Sequence, residues 1–196
     1  MKTLTIDGLE FRDLDHDGVL SPYEDHRLSA DSRAKDLLNR MTMAEKAGVM
    51  MHGTAQSIGP LGVMGVGAEY NQQANQELIS ENKINHLITR LDSTPHEFAE
   101  QNNALQQIAA HTRLGIPVTI STDPRHHFQH VTGASTRAKG LSQWPETTGL
   151  AAVGSAELVE QFAEIARAEY RAVGIHMALS PQADIATEPR WSRISG

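Results

Sequence analysis

The chain has 196 residues, 39% of them hydrophobic and 21% charged, with a net charge of -7 and no cysteine. That length and balance suit a globular domain with a sizeable core. The charge speaks against nucleic acid or an anionic membrane as the main partner, and the absence of cysteine excludes disulfides and thiolate metal sites. No run approaches the roughly 18 apolar residues needed to span a bilayer. The opening MKTLTIDGLEF has one lysine and no apolar core, so it does not read as a signal peptide. A cytoplasmic location follows if this start is native, and a periplasmic or secreted one if a leader has been removed.

Residues 11–24, FRDLDHDGVLSPYE, fit a calcium-binding loop. Asp13, Asp15, Asp17, Gly18 and Glu24 fall at its positions 1, 3, 5, 6 and 12, and Val19 at position 7 would offer its carbonyl. Calcium takes six to eight hard oxygens, which three short carboxylates, one carbonyl and a bidentate glutamate can supply. The preceding segment does not read as an entering helix, so a bound calcium would be structural. Residues 1–28 are expected to form a lead-in carrying this loop.

From residue 29 the grammar changes. Ser29 caps an expected helix to about Met41, and Thr42 with Glu45 forms a capping box for a second. Val49 to Met51 is a candidate first strand, followed by a glycine-rich stretch, Gly53 to Gly67. Its glycines lack the spacing of a phosphate cradle, and a mobile loop is the expected reading. Glu69 to Asn82 reads as a polar helix and Ile84 to Leu91 as a second strand. Thr94, Pro95 and Glu97 mark a helix start, and Phe98, Leu105, Ile108 and Ala109 give that helix an apolar face to about Arg113. Gly115 stops it.

LGIPVTISTDPRHHF and VGIHMALSPQAD then echo one another: hydrophobe, Gly-Ile, alternating strand, serine, and aspartate in the loop. Between them Ser155 opens a helix with Leu158, Val159, Phe162, Ile165 and Ala166 on one face. Ile175, Met177 and Leu179 alternate as a strand ended by Pro181. Repeated strand and helix units of this kind imply an α/β fold with a parallel sheet.

SPQADIATEPRWSR resembles a motif of glycoside hydrolase family 3, with Asp184, Pro189, Arg190, Trp191 and Arg193 in step. Glu188 replaces the family's common aspartate there, and Ser192 its common glycine. TMAEKAGVMMH and GLSQWPETTGLAA resemble two earlier family stretches in the same order, the second with Trp144 at an aromatic place. The resemblance implies a (β/α)8 TIM-like barrel, present here as its first half of about four βα units over residues 29–196. It also implies a retaining β-glucosidase, or a relative acting on β-xylosides, arabinosides or N-acetylglucosaminides. No catalytic cofactor is implied.

Within the family pattern GIPVTISTDPRHH puts Asp123 at the acid that accepts hydrogen bonds from hydroxyls of the terminal sugar. An ionised carboxylate holds such donors well. Arg193 matches the arginine that reaches the same subsite, while Arg125 and His127 are expected at the cleft mouth. Arg190 is expected to pair with an acid, Glu188 being the nearest, and Asp184 to be structural. His126, His127 and His130 lack zinc-motif spacing and read as cleft or surface histidines.

A retaining mechanism needs two carboxyl groups roughly 5–5.5 Å apart. The family's nucleophile and acid/base are expected outside this chain, so no catalytic residue is assigned within it. The expected partners are a β-glucoside or oligosaccharide, the remaining barrel and a second α/β domain. A calcium-stabilised carbohydrate-binding module without catalysis is the reading from another class.

Overall fold

The computed structural model describes all residues except 1, 124–125, 128–136, 182–186, 189 and 191–196. The chain forms two compact units. One comprises Met1–Gly53, Gln72–Leu87 and Ala104–Val118, the other Thr54–Asn71, Ile88–Asn103 and Thr119–Gly196.

In the first unit the lead-in is a hairpin. Strands β1 (Lys2–Ile6) and β2 (Leu9–Asp13) pair antiparallel around a turn at Asp7 and Gly8. Helix α1 (Ala30–Arg40) starts where Ser29 accepts the Ser32 N–H, and α2 (Met43–Val49) carries both halves of the Thr42–Glu45 capping box. The expected strand at Val49 to Met51 is not one. The N–H groups of Met50 and Met51 close onto the carbonyls of Ala47 and Gly48, winding out the helix end, and both side chains are exposed. The first strand of the following sheet is instead β3 (His52–Thr54).

The polar segment after residue 69 forms α3 (Gln72–Gln76), which widens into a π turn at Glu77–Glu81 and buries Asn75 and Ile79. Phe11, Tyr23, Ile79, Leu105, Ala109, Leu114 and Val118 supply the buried core of this unit.

Two sheets follow. Strand β3 heads a four-stranded sheet in the order β3-β5-β7-β9, where β5 is His86–Ile88, β7 Thr119–Thr122 and β9 Met177–Ala178. A three-stranded sheet joins β4 (Val66–Gly67), β6 (Arg90–Ser93) and β8 (Arg137–Ala138), all parallel. The single strand expected over Ile84 to Leu91 is therefore two. It divides at Thr89, whose N–H donates to Ser121 O, and from Arg90 onward the partner is β4. A change of partner leaves no trace in an apolar run.

Helix α4 (Pro95–Ala110) begins as expected, with Thr94 and Glu97 bonded reciprocally. Helices α5 (Thr147–Val153) and α6 (Ala156–Ala172) precede β9. The second unit buries Tyr70, Leu91, Phe98, Ile120, Leu150, Tyr170, Val173 and Ile175.

The class is α/β, with parallel pairing and helices between strands. Among the described residues no sheet closes into a barrel. Only Ile175 of the expected Ile175, Met177, Leu179 alternation is buried; Met177 and Leu179 are exposed because β9 stands last in the sheet order. No described helix is long and apolar enough to cross a membrane.

The glycine-rich stretch is folded back on itself rather than loose. Ser57 N–H reaches Gly62 O, Ser57 Oγ reaches Gly65 O, and Ile58 N–H reaches Glu69 O. A Cβ on Gly62 would sit 1.9 Å from the Ser57 carbonyl oxygen, so only glycine admits this contact.

Candidate functional site

In parallel sheets the polar loops leave from the C-terminal strand ends, where binding groups collect. Strands β7 and β9 run parallel with Thr122 opposite Ala178, and Leu179 N–H donates to Thr122 O at 3.0 Å. Asp123 therefore emerges beside the start of the segment that follows β9. It is half-buried, and among the described residues nothing pairs its carboxylate. Arg193 and Arg125 lie outside the described residues, as do Asp184, Trp191 and His130.

Behind Asp123, His126 is buried, which corrects its reading as a cleft or surface histidine. Its ring meets Tyr170 of α6 edge-on at 4.4 Å, and Nε2 lies 2.8 Å from Glu169 Oε2. That approach is close but poorly aligned for a hydrogen bond, so it acts as an electrostatic contact. Burial pushes the imidazole below its ordinary range, and the Glu169 carboxylate opposes this only in part. Glu169 also accepts from Ser142 N–H and Oγ, and Trp144 N–H donates to His126 O. The loop after β7 is thus held to α6 by a buried histidine. Its burial was not visible in the sequence.

His127 is half-buried. Its Nδ1 contacts Pro145 O and its ring lies 6.0 Å from that of Phe162, which in turn lies 5.2 Å from Trp144. The imidazole at the expected cleft mouth therefore packs on an aromatic wall. Past β9, Glu188 and Arg190 form a forked pair at 2.7 and 2.8 Å, as the sequence suggests. The guanidinium holds the Glu188 carboxyl down to about 2.

A polar knot underlies this end of the second unit. The Tyr70 hydroxyl contacts Thr89 Oγ1 at 2.7 Å and Asn102 Oδ1 at 2.9 Å, while Asn102 Nδ2 donates to Val173 O at 2.6 Å. All four residues are buried, and burial raises the Tyr70 phenol far above its ordinary range. Asn102 sits on the apolar side of α4, where the periodicity showed only hydrophobes. A Cβ added to Gly174, which takes φ +84, would lie 3.4 Å from Asn102 Cβ.

The acidic loop belongs to the first unit. One carboxylate oxygen from each of Asp13, Asp15 and Asp17 lies within 4.8 Å of the others. Glu24, expected as the twelfth-position ligand, stands outside that group. Its Oε1 accepts the N–H groups of Leu14 and Asp15, and its Oε2 that of Ser21. Val19 has an exposed side chain, and its N–H donates to Asp17 Oδ1 at 2.7 Å.

The sequence profile of the glycosyl hydrolase family 3 N-terminal domain matches residues 43–196. The chain belongs to that family. It is 58% identical over 194 residues to a periplasmic β-glucosidase/β-xylosidase of Dickeya chrysanthemi, covering 98% of this chain and 29% of that protein. It is 46% identical over 179 residues to β-glucosidase C of Emericella nidulans, covering 91% and 28%. A probable β-glucosidase C of Aspergillus oryzae is 48% identical over 175 residues, covering 88% and 27%. The chain thus spans under a third of the length of these relatives.

Proposed function

We propose that this chain is the first part of the barrel of a retaining β-glucosidase, which removes terminal non-reducing β-D-glucosyl residues. Its contribution is one wall of the sugar subsite, with Asp123 accepting hydrogen bonds from sugar hydroxyls. Arg193 is the second anchor, and Arg125 and His127 line the mouth. The observation that carries this reading is the half-buried Asp123 at the end of β7, beside the chain leaving β9, with no partner for its carboxylate among the described residues. A carboxylate without a partner among the described residues is available to a polyol, and each hydrogen bond to a charged acceptor contributes about 1.5–3 kcal/mol.

Nucleophile and acid/base belong, in this proposal, to parts of the enzyme outside the chain. The exposed edge side chains Met177 and Leu179 and the roughly 40% exposed Val159 and Ile165 of α6 are surface that further barrel strands and helices would cover. Action on β-xylosides is the second reading, favoured by the double name of the Dickeya relative. That relative's periplasmic name also favours the periplasmic branch of the localisation.

The test uses the whole enzyme with p-nitrophenyl β-D-glucoside and β-D-xyloside. Asp123→Asn is expected to lower kcat/KM on both by about a thousandfold with the fold intact by circular dichroism. A variant within threefold of the parent overturns the assignment. The 196-residue chain alone is expected to show no turnover.

A further inference from the structure

The acidic loop carries more than a sequence pattern. Asp13 is fully buried at the end of β2, and its Oδ2 has no hydrogen-bond partner. A buried, unpaired carboxylate oxygen is costly unless a cation meets it. The only described ion-pair partner inside the cluster is Arg40, whose Nη1 lies 3.5 Å from Asp15 Oδ2 and which also serves Asp36 at 2.8 Å. Arg40 reaches only Asp15 of the three aspartates, and Arg113 acts on Asp15 through space without a contact, so among the described residues no cation meets Asp13 or Asp17.

We infer that Asp13, Asp15 and Asp17 bind one divalent cation, calcium by chemistry. Oxygens across a calcium ion at 2.3–2.6 Å are separated by at most about 5 Å, which matches carboxylate oxygens within 4.8 Å of one another. The loop around them is already shaped: His16 and Gly18 take positive φ, 62 and 78 degrees, and Asp13 Oδ1 faces the Gly18 N–H at 3.4 Å. Water and the Val19 carbonyl complete the oxygen set.

Glu24 is assigned a different task from the one its position in the pattern suggests. Its bonds to Leu14, Asp15 and Ser21 N–H brace the loop, and turning it onto the ion would leave those N–H groups unpaired. The loop is docked within its own unit. His16 Nε2 lies 3.0 Å from Ala110 O, Tyr23 Oη donates to Leu114 O, and Gly115 leaves room for the Leu14 carbonyl. A cation here fastens the lead-in hairpin to the segment after α4.

Equilibrium dialysis of the 196-residue chain against radioactive calcium counts bound ions whether or not the chain self-associates. One ion per chain is expected, with a Kd between about 1 μM and 1 mM. Asp15→Asn and Asp17→Asn, at positions not fully buried, are expected to weaken it at least about tenfold, and the exposed Asp31→Asn to leave it unchanged. Binding that is absent at millimolar calcium, or that survives both loop variants, overturns the site. Glu24→Gln is expected to lower the melting temperature in chelator as well as in calcium; a loss seen only in calcium overturns its role as a brace.

Discussion

The acidic loop and the strand-end site are built in opposite ways. In the first, every group falls within twelve consecutive residues, and local turns bring the aspartates together. In the second, Asp123 leaves its strand beside the start of the chain beyond Ala178 only because two distant strands pair in register. A local motif is readable from spacing, while an assembled site depends on the whole sheet. Contacts between distant segments should therefore carry the largest penalties when cut, and local ones the smallest.

The largest expected effect is on activity and rests on the proposed function: for Asp123→Asn a thousandfold loss corresponds to about 4 kcal/mol of transition-state binding. Next comes Asn102, whose amide joins Val173 O across 71 residues. Asn102→Leu keeps the heavy-atom count but takes the amide donor from the buried Val173 carbonyl and leaves the Tyr70 phenol with Thr89 Oγ1 as its partner. It should lower unfolding stability by about 2–4 kcal/mol, read from urea titrations. A loss below about 0.5 kcal/mol would mean the knot is not a keystone and would weaken the contrast.

The third test lies in the first unit, where Arg113 and Glu45 pair across 68 residues. Arg113 above all, with Thr42, holds the nearly buried Glu45 carboxyl down to about 2 from its ordinary 4.5. A depressed carboxylate stabilises the fold fully above its unfolded value and loses that contribution as pH falls. The urea midpoint should thus drop between pH 4.5 and 2, by the equivalent of about 2 kcal/mol after solvent screening. In Arg113→Met most of that acid dependence should vanish, measured against the parent at each pH.

How much was legible follows the same division. The caps at Ser29, Thr42, Thr94 and Ser155 all appear where the sequence put them, because a cap involves neighbours three residues apart. The aspartates of the loop lie together for the same reason, while Glu24 accepts the N–H groups of Leu14, Asp15 and Ser21: spacing fixes where a carboxylate is, and not which N–H groups compete for it. The break at Thr89 and the burial of His126 and Asn102 were hidden, since each is decided by a partner far along the chain. Asp123 was named through a family likeness, and periodicity alone would have left it a turn residue.

The smallest expected effect tests the local end of the comparison. Thr94 Oγ1 accepts the Glu97 N–H at 3.3 Å, and Glu97 Oε2 accepts from Thr94 N–H, Thr94 Oγ1 and Ser93 Oγ. These bonds hold the Glu97 carboxyl at about 2, with the Thr94 hydroxyl the first cause. Thr94 is exposed, so Thr94→Ala frees one helix N–H to water rather than burying it unpaired, and should lower stability by only about 1 kcal/mol. The Glu97 carboxyl should titrate closer to its ordinary range in the variant, followed by carbon-detected NMR, because one neutral donor is lost while Ser93 Oγ and the Thr94 N–H remain. If Thr94→Ala instead matched Asn102→Leu in cost, sequence separation would no longer rank the contacts. The start of α4 would then have to be counted among the assembled parts of the fold.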